Sequence, residues 1–122
     1  MTHHTLYITG AGVSAESGIP TFRGTDGFWT VGSQNYTPQE MATRQMYLSN
    51  PDEFLLWYFK RFASYRHIKP NTVHHWLADK RLVTQNIDGL DGKAGNASYV
   101  PIHGRLDKVT VLHEQGATCT AD

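Results

Sequence analysis

Three short clusters in this chain combine residue types that chemistry needs. Gly10-Ala11-Gly12 follows a β-prone run. A bare backbone there would let phosphate oxygens approach, and a following helix start would offer them free N–H groups. Taken alone this is a weak dinucleotide signal, and a plain tight turn is the competing reading. Gln85-Asn86-Ile87-Asp88-Gly89 puts two amides and a carboxylate side by side, and His103-Gly104 supplies an imidazole. An imidazole takes and returns a proton near neutral pH, which suits a general base. A lone histidine is more often a surface or satisfied core residue. His103 is singled out by its place after a strand, and His67, His74, His75 and His113 are read as structural.

The elements that must position these clusters read as alternating strands and helices. Thr5 to Thr9 (TLYIT) is a short apolar run that reads as a buried strand ending at Gly10. Gly10 to Gly24 holds too many glycines for a long helix, leaving a tight turn and a short helical segment near Ser14 to Ser17. A loop follows to Tyr36, with Phe28 and Trp29 as apolar anchors. Thr37-Pro38-Gln39-Glu40 has the form of a capping box, predicting a helix from Pro38 to about Leu48. Asn50-Pro51-Asp52-Glu53 repeats the signal for a helix from Pro51 to about Arg66, apolar around most of its circumference. Lys69-Pro70-Asn71 opens a third helix to about Lys80. Leu82 to Thr84 and Tyr99 to Ile102 read as further strands, and Leu106 to Leu112 as a fourth strand or a hairpin arm. Strands separated by helices indicate an α/β fold with a parallel sheet. In such sheets ligands gather at the carboxyl ends of strands, where all three clusters stand.

The bulk numbers narrow the function classes. With 122 residues there is room for one domain with a core; the expectation is a single domain over residues 1–122 with a helical insertion at about 37–66. Eleven basic residues balance eleven acidic ones, so no basic field is available for nucleic acid. No apolar run is long enough to span a membrane and no leader pattern is present. His3 and His4 are too few to insist on a tag. The lone Cys119 rules out an internal disulfide, which fits a reducing cytoplasm.

The run Gly10-Ala11-Gly12-Val13-Ser14-Ala15-Glu16-Ser17-Gly18-Ile19-Pro20-Thr21-Phe22-Arg23-Gly24 closely resembles the signature segment of the sirtuins, the NAD-dependent lysine deacylases. Lys69-Pro70-Asn71 followed by His74 resembles the family's KPNxxH helix start. Thr84 to Leu90 resembles its TQNIDGL, and Ile102-His103-Gly104 its catalytic histidine segment. The resemblance runs in family order over roughly residues 5 to 110 and implies a Rossmann-like open parallel sheet, here partial, with the inserted helices of a small domain. It implies that Gly10, Ala11, Gly12 and Ser14 cradle the pyrophosphate of NAD, with Pro20 and Thr21 in the same cofactor-binding segment. Phe22 would cover the nicotinamide side and Arg23 would contact phosphate or ribose. Gln85 would contact ribose hydroxyls, Asn86 would help place the ring or a water, and Asp88 would accept from the nicotinamide carboxamide. In the implied reaction the acyl-lysine carbonyl oxygen displaces nicotinamide, and His103 activates the ribose hydroxyl that attacks next. The products are free lysine, nicotinamide and an O-acyl-ADP-ribose, and NAD is consumed as a co-substrate.

Tyr58 and Arg61, three apart on the second helix, share a face. They resemble the tyrosine–arginine pair of sirtuins that prefer succinyl- and malonyl-lysine, where a guanidinium beside a phenol binds a carboxylate. The opposing reading packs Tyr58 in the core and leaves Arg61 a solvated helix residue.

The chain also departs from the family pattern. The two cysteine pairs that hold structural zinc in the family are not here: Cys119 stands alone with His113 and Glu114 nearby, so no zinc or other metal is expected. Asp91 stands where the family often has a histidine. The family's fold continues for about another hundred residues beyond the catalytic histidine, as the resemblance implies. A missing half or a partner chain is therefore expected to complete the sheet, whose edge and face would otherwise be open; a naturally reduced variant is the third alternative. The tail from Glu114 to Asp122 reads as an unstructured end. Three functions stay in view: an NAD-dependent deacetylase or desuccinylase acting on acyl-lysine proteins or peptides, an NAD hydrolase or ADP-ribosyltransferase on the same pocket, and an inactive NAD-binding fragment.

Overall fold

The computed structural model describes residues 5–24, 27, 29–33, 35–110 and 119–120. In chain order the elements are β1 (Tyr7–Thr9), α1 (Gly12–Ala15), α2 (Pro38–Met41), α3 (Arg44–Ser49), α4 (Pro51–Phe62), α5 (Thr72–Trp76), β2 (Leu82–Thr84), α6 (Leu90–Lys93), β3 (Val100–Pro101), β4 (Lys108–Val109) and β5 (Cys119–Thr120). Turns of 3₁₀ helix extend α4 over Ala63–His67 and α5 over Leu77–Asp79. The chain divides into two compact units, Met1–Val13 with Lys69–Asp122, and Ser14–Ile68. Among the described residues no helix is long and apolar enough to cross a membrane.

The first unit carries a parallel sheet in the order β1-β2-β3. Its strands are shorter than the sequence suggests, and the expectation of a buried first strand is corrected. Leu6 and Ile8 alternate onto one face and are 50% and 68% exposed. Val100 on β3 and Ile102 just after it are likewise exposed. Parallel sheets are usually covered on both faces, so these side chains mark a face that the described residues leave open. Leu106 to Leu112 does not extend the sheet: Lys108–Val109 pairs antiparallel with Cys119–Thr120. The tail is thus not wholly structureless, because backbone pairing there needs no apolar pattern, and Lys108 Nζ adds a bond of 3.1 Å to Thr120 Oγ1.

In the second unit, the single helix expected over Pro38 to Leu48 is two. Thr43 is extended, and its Oγ1 accepts the Met46 N–H, so it caps a new helix after the first has ended at Met41. Pro51 opens α4, with Asp52 and Glu53 in its first turn and Lys60 and Arg61 in its last, each charge matching the end of the helix dipole it sits on. The all-round apolar surface of α4 is only partly used. Trp57 is buried with Met41 and Met46, flanked by Tyr36, Phe54 and Tyr58, while Leu55, Leu56 and Phe59 are exposed. Trp57 Nε1 donates to the Val31 carbonyl, satisfying the one polar atom of its buried ring. Phe28 and residues 111–118, including His113 and Glu114, lie outside the described residues.

Candidate functional site

The parallel register brings three of the sequence clusters to one end of one sheet. Thr9 lies abreast of Thr84, and Thr84 abreast of Pro101. Gly10, Gln85 and Ile102 therefore leave the strands side by side, followed by Ala11, Asn86 and His103. Adjacent strands lie about 4.8 Å apart, so the glycine turn and the imidazole segment are separated by two such steps. The ladder continues past the strand ends: Gln85 N–H donates to Thr9 O and Ile102 N–H to Thr84 O, both at 3.0 Å.

Side chains lock this end. The fully buried Thr84 Oγ1 accepts from Thr9 Oγ1 at 2.8 Å and from the Asn86 N–H at 3.1 Å. Asn86, itself buried, donates Nδ2 to the Gly10 carbonyl at 2.9 Å, tying the second cluster to the first. A Cβ added at Gly12 would meet nothing within 4 Å, so this backbone faces open space, while one at Gly10 would touch Gln85 Oε1 at 3.8 Å. Such an uncovered main chain beside amide side chains suits a phosphate-bearing ligand. His103 and Gln85 are exposed. His103 stands in a turn closed by Gly104 N–H to Pro101 O, and the segment beyond is anchored where Leu106 N–H donates to Ile87 O.

A second tether comes from the KPN segment. Asn71 caps α5 by accepting from the N–H groups of Val73 and His74, and His74 Nδ1 accepts the Asn71 N–H, closing a capping box. Asn71 Nδ2 donates to the Val13 carbonyl at 2.7 Å, holding the start of α5 to α1. The buried His74 is structural, as its sequence setting suggested. Burial lowers its pKa, partly opposed by the Asp88 carboxylate. Asp88 Oδ1 accepts the Leu90 N–H at 3.0 Å across Gly89, whose φ of 74° is a left-handed conformation that favours glycine.

In the second unit, Ser14 is buried and its carbonyl accepts from Ser17 and Ile19. Pro20 is exposed and Thr21 half-buried, Arg23 is exposed, and Phe22 is 36% exposed. The Thr21 to Phe22 main chain is pressed against Gly27, where an added Cβ would lie 2.0 Å from Thr21 O; no larger residue fits. Tyr58 stacks in an aromatic row with Phe54, Trp57 and Phe62, and burial raises its pKa. Arg61 lies 4.1 Å over the Trp57 ring and donates to the carbonyls of Trp57 and Gly32. Burial lowers its pKa and Tyr65 raises it. It is thus a packed, half-buried side chain.

Reading the sequence missed three contributors: the Thr9–Thr84 bond, the Asn71 tether and the burial of Asp91. Asn71 carried a visible signal, a cap residue three before a histidine. The other two depend on strand register and on packing, which leave no local mark. Among the described residues no group of three or more His, Cys, Asp or Glu could hold a metal.

Comparison with known proteins agrees with this geometry. The profile of the Sir2 family matches residues 10–120. NAD-dependent protein deacylase 1 of Archaeoglobus fulgidus is 42% identical over 106 residues, covering 81% of this chain and 42% of the relative. NAD-dependent protein deacylase 1 of Caldanaerobacter subterraneus subsp. tengcongensis is 41% identical over 112 residues, covering 86% and 45%. Among solved structures, a Sir2 homolog–NAD complex superposes with a TM-score of 0.76 at 36% identity, covering 95% of this chain and 46% of that one. A mutant Sir2 homologue with ADP-ribose gives 0.78 at 35%, covering 95% and 48%. The chain therefore spans a little under half the length of the relatives it matches, and the shared part is a Rossmann-like parallel sheet with helices. Its strand-end clusters, their order and nearly the whole of its length agree with one pattern: this chain belongs to the Sir2 family.

Proposed function

We propose that the chain is the dinucleotide-binding part of an NAD-dependent protein-lysine deacylase that releases nicotinamide and O-acyl-ADP-ribose. The observation that carries this reading is the common exit of Gly10, Gln85 and Ile102 from abreast strands, with Ala11, Asn86 and His103 next in line. The open backbone at Gly12 supports a pyrophosphate contact for Gly10, Ala11 and Gly12. Ser14, Pro20, Thr21, Phe22 and Arg23 take the cofactor roles the family resemblance assigns them. Gln85 holds ribose hydroxyls, and Asn86, fixed by its bond to Gly10 O, places the nicotinamide ribose. Asp88 accepts from the carboxamide, and His103 is the general base toward a ribose hydroxyl. NAD bound there supplies the glycosidic bond that is broken.

The substrates are acyl-lysine proteins or peptides, a reading supported by a Sir2 structure holding a deacetylated peptide with an acetyl ADP-ribose product. Tyr58 and Arg61 make a desuccinylase reading concrete, because Arg61 keeps donors beyond its two backbone bonds. A further segment of the protein, or a partner chain, completes the sheet; the exposed Leu6, Ile8, Val100 and Ile102 support this. The unpaired, exposed Cys119 supports a reducing compartment, the cytoplasm.

The test is nicotinamide release by the full-length protein with and without acyl-lysine peptide. Release that requires the peptide, and that falls by about 10²- to 10⁴-fold in His103→Ala with NAD binding retained, is the expected result. Equal release without peptide would assign the site to NAD hydrolysis or ADP-ribosyl transfer. NAD binding with no turnover would favour an inactive binding module. A succinyl preference in kcat/KM that survives Arg61→Ala would remove the acid-pocket role.

A further inference from the structure

Asp91 is a buried ionisable group that the reaction above does not use. It lies in the first turn of α6, is 2% exposed, and its Oδ1 has no hydrogen-bond partner among the described residues. The Tyr99 ring lies against the next residue, where a Cβ on Gly92 would meet its Oη at 3.4 Å. That hydroxyl is also buried without a partner among the described residues. Asp88, three residues earlier, is a like charge that acts on Asp91. Its carboxyl starts α6 through the Leu90 N–H.

We propose that Asp91 is a positioning residue for the Asp88 turn, and that the protonation state of its buried carboxyl sets how tightly that turn holds the nicotinamide end of NAD. The proposal rests on the NAD-binding reading above. With Asp91 neutral, the turn carries one negative charge and α6 stays packed. With Asp91 ionised, an unpaired charge sits in the interior and a second carboxylate stands at i+3 from Asp88, a repulsive spacing at a helix start. The relief available is to unwind the first turn of α6, which releases the Leu90 N–H and displaces Asp88.

Among the described residues no cation forms an ion pair with Asp91. On α5, packed against α6, His74 is buried and accepts through Nδ1, and His75 is exposed. On the adjoining 3₁₀ turn, Asp79 is paired with Lys80. Lys93 on α6 itself is exposed. Arg105 lies 5.9 Å from the Tyr99 ring centre and is bound bidentately by Asp107. Burial first, and the Asp88 charge second, raise the Asp91 pKa to about 6, so the change falls in a range that mild acidification reaches.

The experiment has two arms in the full-length protein. The first follows the Asp91 side-chain carboxyl by ¹³C NMR without ligand. A midpoint near 6 is expected, and one near the solvated value of about 4 overturns the proposal. The second measures NAD affinity by calorimetry from pH 5 to 7.5 in the native protein and in Asp91→Asn, which keeps the shape but cannot ionise. Native affinity should weaken about fivefold across that range, the low end of couplings between sites. Asp91→Asn should hold the low-pH affinity throughout. The same pH dependence in both proteins overturns the role of Asp91 and leaves the NAD reading standing. No NAD binding at any pH in either protein overturns both. If Asp91→Asn fails to fold, the carboxyl titration together with a flat native affinity profile still overturns the proposal.

Discussion

The two units hold their shape by different means. Residues 14–68 rely on aromatic packing: Trp57 is buried in one cluster with Met41 and Met46, and Tyr47, Phe54, Tyr58 and Phe62 follow one another in tilted ring contacts. The sheet unit instead holds its site end with polar side chains, Thr9 to Thr84, Thr84 to Asn86 and Asn86 to Gly10. Packing is non-directional and tolerates small adjustments, whereas a hydrogen-bond chain fixes a backbone to a few tenths of an ångström. A turn that is to hold a ligand needs the second kind of support, and this chain puts that support at the candidate site.

The sharpest way to break the contrast is Trp57→Ala. Removing the one buried tryptophan of the helical unit should destabilise the protein by about 3–5 kcal/mol, read by chemical denaturation. Amide exchange should show the loss in α3 and α4, with β1 and β2 still protected. Loss of protection in the sheet as well would mean the two units unfold together.

On the sheet side, the acid group supplies the next largest effect. The folded pKa of Asp91 is raised from 3.8 to about 6, so its contribution to stability is complete below the unfolded value. It is lost as pH rises through the folded one. At about 1.36 kcal/mol per unit, the difference amounts to about 3 kcal/mol between pH 3.5 and 7. Urea titrations at several pH values should show this fall in the native protein and not in Asp91→Asn.

Gly12→Ala separates folding from binding. The added Cβ meets nothing within 4 Å and alanine favours the helix, so stability should hold or rise slightly. NAD affinity should drop about tenfold, which is about 1.4 kcal/mol, because the methyl group occupies the approach to the phosphate. Unchanged affinity by calorimetry would place the pyrophosphate elsewhere. The smallest effect is expected from Asn71→Ala, which removes the cap of α5 and the bond to Val13 O. A loss of about 1 kcal/mol is expected, with added exchange at the start of α5.

Much of the candidate site could be proposed from local sequence because its parts are local. A glycine turn after a β-prone run, an amide-rich turn after Thr84 and a histidine after Val100-Pro101 each announce themselves within a few residues. The cap at Thr37 and the helix start at Lys69-Pro70-Asn71 were equally plain, since a helix start is marked by residues two or three apart. Thr43 was missed for the opposite reason: it interrupts a periodic pattern that would serve one helix as well as two. The burial expected for TLYIT failed because an apolar run states only a preference for burial. Whether another layer covers Leu6 and Ile8 depends on chain that is not local to them.

Residue order alone established the family pattern, the strand–helix alternation and the identity of the groups that could do chemistry, since these need no more than near neighbours along the chain. The fold decided the rest: that Thr9, Thr84 and Pro101 stand abreast, that Asn86 is spent on holding Gly10, and that Arg61 lies over Trp57. It also decided that the carboxyl at position 91 is sealed from water. Each of these joins residues far apart in sequence, or depends on what a side chain is packed against, and no local pattern encodes a distance between strands or the dielectric around a charge.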